Sequence, residues 1–202
     1  GAIDERYEVI GRGHATRLLP MADELLRAAG MTVRDLDAIA FGRGPGGFTG
    51  LRIAAGVAQG LAAGIGRPVL PVSDLAALAA AGARSSGASR ILACMDARMG
   101  QVYWAACDCG GGVPVAVGDE HLTDPDGVAL PEGRWFGAGH GFGAYPGLAA
   151  RLQTRLTGTD AGLLPRAADI ARIAAIDFQA GKGVAATRAL PVYLRNEVVH
   201  KR

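Results

Sequence analysis

Positive charge is thinly spread in this sequence, cysteine is scarce, aromatics make up only 5%, and no apolar run reaches membrane-spanning length. Each shortage excludes something. Net charge is +2, the basic residues are nearly all arginine, and the one local cluster is His200-Lys201-Arg202. Nucleic-acid binders carry a basic stripe or run, so the chain by itself is a poor candidate for gripping RNA or DNA. Cys94, Cys107 and Cys109 are odd in number and fit no zinc or Cys-x-x-Cys spacing. That argues against a disulfide framework and for a reducing, cytoplasmic setting. Cys107 and Cys109, two apart in an expected strand, face one side as apolar filler. The longest apolar run, 53–65, carries Gln59 and falls short of the ~18–20 residues of a bilayer span, so it reads as a buried helix with no membrane partner. No Gly-x-Ser-x-Gly occurs, no Gly-Lys-Ser/Thr follows the glycine-rich loop, and His14, His121, His140 and His200 are far apart. Nothing therefore recommends a nucleophilic hydrolase, a P-loop or a histidine metal site.

The chain has the apolar content for a real core: half of its 202 residues are hydrophobic, which is enough for one large domain or two small ones. Alternation predicts a short strand at 5–10, and apolar residues at helical spacing predict a helix over 14–29 closed by Gly30. Pro20 inside that pattern predicts a kink or a late helix start. A strand over 35–41, a glycine loop, a small-residue helix to Gly64, a strand at 67–72 and a helix over 74–83 capped by Ser73 follow. Strands alternating with helices give an α/β class with a largely parallel core. After a polar breaker at 85–89, strands at 91–95 and 101–107 flank the turn Asp96-Ala97-Arg98-Met99-Gly100 as a hairpin that opens a second domain. Gly and Pro dominate 110–147, where only 134–137 reads as a strand and the order of elements to 165 stays open. A final amphipathic helix over 167–179 and an extended strap at 191–195 complete the chain. The domains are thus 1–89 and 90–202, with the last residues returning to the first.

The stretch 42–52 is the most distinctive. Gly42-Arg43-Gly44-Pro45-Gly46-Gly47 leads from strand to helix, where N–H groups and the helix dipole favour an anion. The loop is either such a site or a tight turn. Arg52 in the first turn opposes the dipole and needs an acid or an anion. Asp96 and Arg98 serve either a ligand or their own turn. Gly56, Gly60 and Gly64 recur every fourth residue, and each costs a helix interior about 0.5–1 kcal/mol against alanine. Another backbone packed closely on that face is the usual compensation.

Gly44-Pro45-Gly46-Gly47-Phe48-Thr49-Gly50-Leu51-Arg52-Ile53, together with His14-Ala15-Thr16-Arg17-Leu18-Leu19-Pro20, Asp96-Ala97-Arg98-Met99-Gly100-Gln101-Val102-Tyr103 and Pro191-Val192-Tyr193-Leu194-Arg195, resembles the TsaB (YeaZ) family. That bacterial family belongs to the pathway making N6-threonylcarbamoyladenosine in tRNA. The matches run from near the start to near the end of the chain. Gly47 departs from the family's usual serine, which removes a hydroxyl from the loop. The resemblance implies an actin-like ATPase fold of two similar ribonuclease-H-like subdomains, and an additional strand–turn–strand ahead of Gly1.

Where the paralogous catalytic subunit TsaD has Val-Asn-His-Met-Glu-Gly-His, this sequence has Val72-Ser73-Asp74-Leu75-Ala76-Ala77-Leu78. Asp74 and Leu78 stand at the histidine positions, and a leucine cannot ligate a metal. The resemblance therefore implies a non-catalytic partner subunit with no metal and no cofactor of its own, a nucleotide at the joint with TsaD staying open. The expected docking residues are His14, Leu18, Met21, Leu25, Phe48, Leu51, Arg52, Ala55, Gly56, Gly60 and Gly64. The expected ligand loop, if there is one, comprises Gly44, Gly46, Gly47, Thr49, Asp96 and Arg98. Partners implied are TsaD, a TsaE-type ATPase in a larger complex, a second copy when TsaD is absent, and tRNA only through the complex. The alternative is a nucleotide-binding phosphotransferase or ATPase of the actin-like superfamily, with Gly44 to Thr49 and Asp96 to Gly100 facing one cleft.

Overall fold

The computed structural model describes residues 2–10 and 13–195, so the basic end at 200–202 lies outside the described residues. In chain order the elements are α1 (His14–Ala28), β1 (Ile39–Gly44), α2 (Phe48–Ile65), β2 (Val69–Ser73), α3 (Asp74–Ser86), β3 (Arg90–Arg98) and β4 (Gln101–Asp108). There follow β5 (Val115–Ala116), β6 (His121–Thr123), β7 (Trp135–Ala138), α4 (Gly141–Ala144), α5 (Pro146–Arg151), β8 (Leu156–Asp160) and α6 (Ala167–Gln179). Contacts divide the chain into two units, one of 1–43, 47–72 and 166–191, the other of 44–46, 73–165 and 192–202. This division differs from the expected 1–89 and 90–202. Leu75, Leu78 and Ala79 of α3 pack with Ile91 and Ala93 of β3, which draws α3 into the second unit, while α6 belongs to the first.

The second unit is built on a sheet of order β5-β4-β3-β7-β8, with β6 also on β4. β3 and β4 pair antiparallel from Arg90↔Asp108 to Arg98↔Gln101, whereas β3–β7 and β7–β8 are parallel. That order is the ribonuclease-H-like half implied by the resemblance, and it resolves the stretch 110–165 that periodicity leaves open. The unbroken apolar runs in β3 and β4 follow from burial on both faces. Ile91, Ala93, Met95, Tyr103, Ala105 and Cys107 turn to α3, and Leu92, Cys94, Val102, Trp104 and Ala106 turn to a core with Phe142, Leu148 and Leu152. Cys109 packs on the same side as Cys107, as its spacing predicts. Ser73 caps α3, its Oγ accepting from Ala76 N at 3.1 Å.

The first unit contains a two-stranded sheet, β1-β2, extended by an isolated antiparallel bridge from Val69 to Val184. Phe41, Ala55, Ala58, Ala62, Val69 and Ala189 form its core. α1 runs unbroken from His14 through Pro20, so the late start expected from Pro20 does not occur. The strand expected at 5–10 does not form; residues 2–10 have no regular structure. Glu5 instead caps α6, accepting from Ala168 N at 2.9 Å and pairing with Arg166. Burial pushes the Glu5 carboxyl up, but these hydrogen bonds and the nearby arginines outweigh it and hold it below the usual carboxylate range.

Candidate partner-docking face

α1 and α2 lie against each other in the first unit. No residue of α1 is buried. His14 is exposed at its first position and Leu18 is 37% exposed, while Met21 and Leu25 are half-buried. α2 is two-sided. Leu51, Ala55, Ala58 and Ala62 are buried, and Gln59 Nε2 donates to Ala189 O at 3.0 Å. Leu51 and Ala55, expected on the docking face, are therefore corrected to core residues: they sit on the opposite side of the helix from Gly56, Gly60 and Gly64. α2 is also only half what its sequence implied, because the glycine side is exposed where a fully buried helix was expected. By length and composition it is the one helix among the described residues that meets the minimum for a membrane span; its packed alanine face is that of a globular core.

A Cβ added at Gly56, Gly60 or Gly64 would meet nothing within 4 Å. Close packing among the described residues thus does not explain the three glycines, and nothing in it offsets their propensity cost, about 1.5–3 kcal/mol together. Phe48, 49% exposed, stands at the head of this face with the Arg52 guanidinium 3.8 Å over its ring. The ring's negative face gives Arg52 one partner against the helix dipole. Gly47 is the N-cap of α2, in extended conformation and with no side-chain cap. A serine at that position is the preferred cap, so the Gly47 departure costs a helix cap as well as a loop hydroxyl.

The remaining loop candidates divide between the units. Gly44, buried and with φ 104°, and the half-buried Gly46 belong with Asp96 and Arg98 in the second unit; the exposed Gly47 and Thr49 belong to the first. Asp96 is occupied by its own hairpin. Its Oδ1 accepts from Arg98 N at 2.8 Å and from the Tyr145 hydroxyl at 3.1 Å, and its Oδ2 pairs with the Arg98 guanidinium at 3.0 Å. Arg98, Met99 and Gly100 all take left-handed φ, 62°, 56° and 77°, the geometry of a tight hairpin turn. Arg195 braces that turn by donating to Ala97 O at 3.0 Å, which gives the closing strap a structural role. Burial and the Asp96 carboxylate raise the Tyr145 phenol above its ordinary value. Burial also lowers His140, with Asp96 raising it and Arg98 lowering it, and its Nδ1 is buried with no partner. Tyr145 and His140 escape sequence reasoning because they lie some forty residues from Asp96. The available signal is Gly137-x-Gly139-x-Gly141, which marks close packing where β7 ends and α4 begins: a Cβ on Gly137 would strike Phe142, one on Gly139 would strike Cys94 O, and one on Gly141 would sit 2.5 Å from Cys94 Sγ.

At the positions where the resemblance places metal ligands in TsaD, Leu78 is fully buried in the core. Among the described residues no group of three His, Cys, Asp or Glu is placed to hold a metal ion. The thiols are inert by environment: burial pushes Cys94 and Cys107 up to about 12 and Cys109 to about 11, far from the thiolate needed for nucleophilic chemistry.

Residues 8–198 match the family model described as TsaD, tRNA N6-adenosine threonylcarbamoyltransferase. The chain is 40% identical over its whole length to the tRNA threonylcarbamoyladenosine biosynthesis protein TsaB of Escherichia coli K12, covering 89% of that protein. It is 37% identical to the TsaB of Haemophilus influenzae, over 96% of this chain and 85% of that protein. A crystal structure from Pseudomonas aeruginosa, described as an uncharacterized protein with similarity to peptidase YeaZ, superposes with a TM-score of 0.88 at 50% identity, over 94% of this chain and 88% of that one. The fold is therefore the actin-like, ribonuclease-H-like one, and the chain belongs to the TsaB (YeaZ) family of tRNA threonylcarbamoyladenosine biosynthesis proteins.

Proposed function

We propose that this chain is a non-catalytic partner subunit of TsaD, needed for transfer of the threonylcarbamoyl group to the adenosine next to the tRNA anticodon. The observation that carries the reading is the exposed glycine side of α2, with α1 beside it: three helix-weakening residues whose added Cβ would meet none of the described residues within 4 Å. A partner helix laid on that face gains close backbone contact, which is the return the glycines otherwise lack. The docking residues are His14, Leu18, Met21, Leu25, Phe48, Arg52, Gly56, Gly60 and Gly64. The same face serves a second copy of the chain when TsaD is absent, and a TsaE-type ATPase joins the larger complex. The buried Leu78 and the high thiol pKa values support a subunit without its own catalytic centre, metal or cofactor. We place it in the cytoplasm, where its three free cysteines remain reduced.

Reconstitution tests this directly. Purified TsaD, the remaining pathway proteins and unmodified tRNA are combined with and without this chain, and threonylcarbamoyladenosine is quantified in the digested tRNA. Formation that depends on the chain is expected. Equal formation in its absence would remove the reading.

A further inference from the structure

The arginines that look scattered in sequence are gathered at one end of the second unit's sheet. Arg90 is the first residue of β3, Arg134 directly precedes β7 and Arg155 directly precedes β8. These three strands run parallel, with Ile91 opposite Phe136 and Trp135 opposite Leu156, so the arginines leave the sheet at the same edge. All three are held by backbone carbonyls. Arg90 donates to Glu132 O at 3.1 Å, Arg155 to Gly133 O at 3.0 Å and to Pro131 O, and Arg134 to Leu156 O at 3.3 Å. The Arg90 guanidinium also lies 5.7 Å from the Trp135 ring centroid. Gly133 makes this possible: its φ is 105°, and a Cβ there would collide with Arg90 Nη1.

Carbonyls orient a guanidinium without cancelling its charge, and each guanidinium has about five N–H donors, most of which stay unused here. None of Arg90, Arg134 and Arg155 forms an ion pair among the described residues. Pre-oriented, weakly hydrated, uncancelled guanidinium groups in a row suit phosphates of a nucleic-acid backbone, which take bidentate charge-assisted bonds.

We propose that Arg90, Arg134 and Arg155 contact the phosphate backbone of the substrate tRNA when this chain is in its complex. The contact is weak for the chain alone and adds to the grip of the assembly, and the proposal rests on the partner reading above. The test uses the reconstituted TsaD system with three forms of the chain: wild type, the triple variant R90Q/R134Q/R155Q and the charge-keeping R90K/R134K/R155K. The glutamine variant is expected to bind TsaD as wild type does, to keep kcat, and to raise the KM for tRNA about 10-fold. The slope of log affinity against log salt should shrink by about 2–3, as for three lost phosphate contacts. The lysine variant should recover most of both. Because the triple variant removes several loop staples, the single Arg134→Gln, which loses one carbonyl bond, supplies a milder version, with KM up about 2–3-fold. A glutamine variant with wild-type KM and salt slope overturns the proposal. So does a lysine variant as impaired as the glutamine one, which would mean that the arginines only staple the loop. Loss of TsaD binding by the glutamine variant also overturns it, in favour of an acidic protein surface as the arginines' partner. Failure of the wild-type chain to stimulate TsaD is seen separately, before any variant is compared, and removes the partner reading and this proposal together.

Discussion

Leu78 stands where the resemblance places a metal ligand in TsaD. It is fully buried between α3 and β3, so it stabilises the second unit where the paralogue's motif would ligate a metal. Leu78→Ala should cost about 3 kcal/mol, from lost transfer energy plus a residual cavity, read as a fall in the denaturation midpoint with no change in metal content. His140 carries a second residue-scale prediction. Burial holds its pKa below the ordinary histidine value, so between that lowered value and about 6.5 the unfolded chain binds a proton that the folded chain refuses. Stability is then fully present above pH 6.5 and declines as the pH falls through that window. Melting temperatures at pH 7.5 and 5.5 should differ more for the wild type than for His140→Gln; equal differences would mean that other groups govern the acid response. Ser73→Ala, which removes the cap on Ala76 N, should cost about 1 kcal/mol.

The helices and strands were legible where periodicity is strong and illegible where it is short. α2, α3, α6 and the β3–β4 hairpin could be placed from apolar spacing and caps. The strand expected at 5–10 was a local pattern without a neighbouring ladder, and Glu5 found a helix N-terminus instead. β7 was legible, expected at 134–137 and found at Trp135–Ala138, whereas β5, β6 and β8, only two, three and five residues long, carry too little alternation to be read. In α2 the spacing picks out the glycine row, but the expected docking residues also took in Leu51 and Ala55, which at about 100° per residue fall away from Gly60 on the side that meets the core. The element-scale prediction follows from that two-sidedness. Gly56→Ala, Gly60→Ala and Gly64→Ala, individually or together, should each raise the stability of the isolated chain by about 0.5–1 kcal/mol, because space is open at each Cβ. A loss of stability would show that the face is packed within the chain after all.

At the scale of the molecule, the fold and family were readable from motifs that run the length of the chain, whereas the arginine edge was not. Arg90, Arg134 and Arg155 come together only through the parallel register of β3, β7 and β8, a long-range fact with no local signature. Two readings of the whole molecule then separate experimentally. A nucleotide-hydrolysing member of the superfamily would release heat on titration with ATP and magnesium; a partner subunit without a cofactor should give none. Most direct is the affinity of TsaD for the Gly60→Leu form of this chain, measured by calorimetry alongside the melting temperature of the free variant. The expected result is an affinity lowered 100-fold or more, about 2.7 kcal/mol, with melting unchanged or raised; wild-type affinity in a folded Gly60→Leu chain would contradict docking through α2.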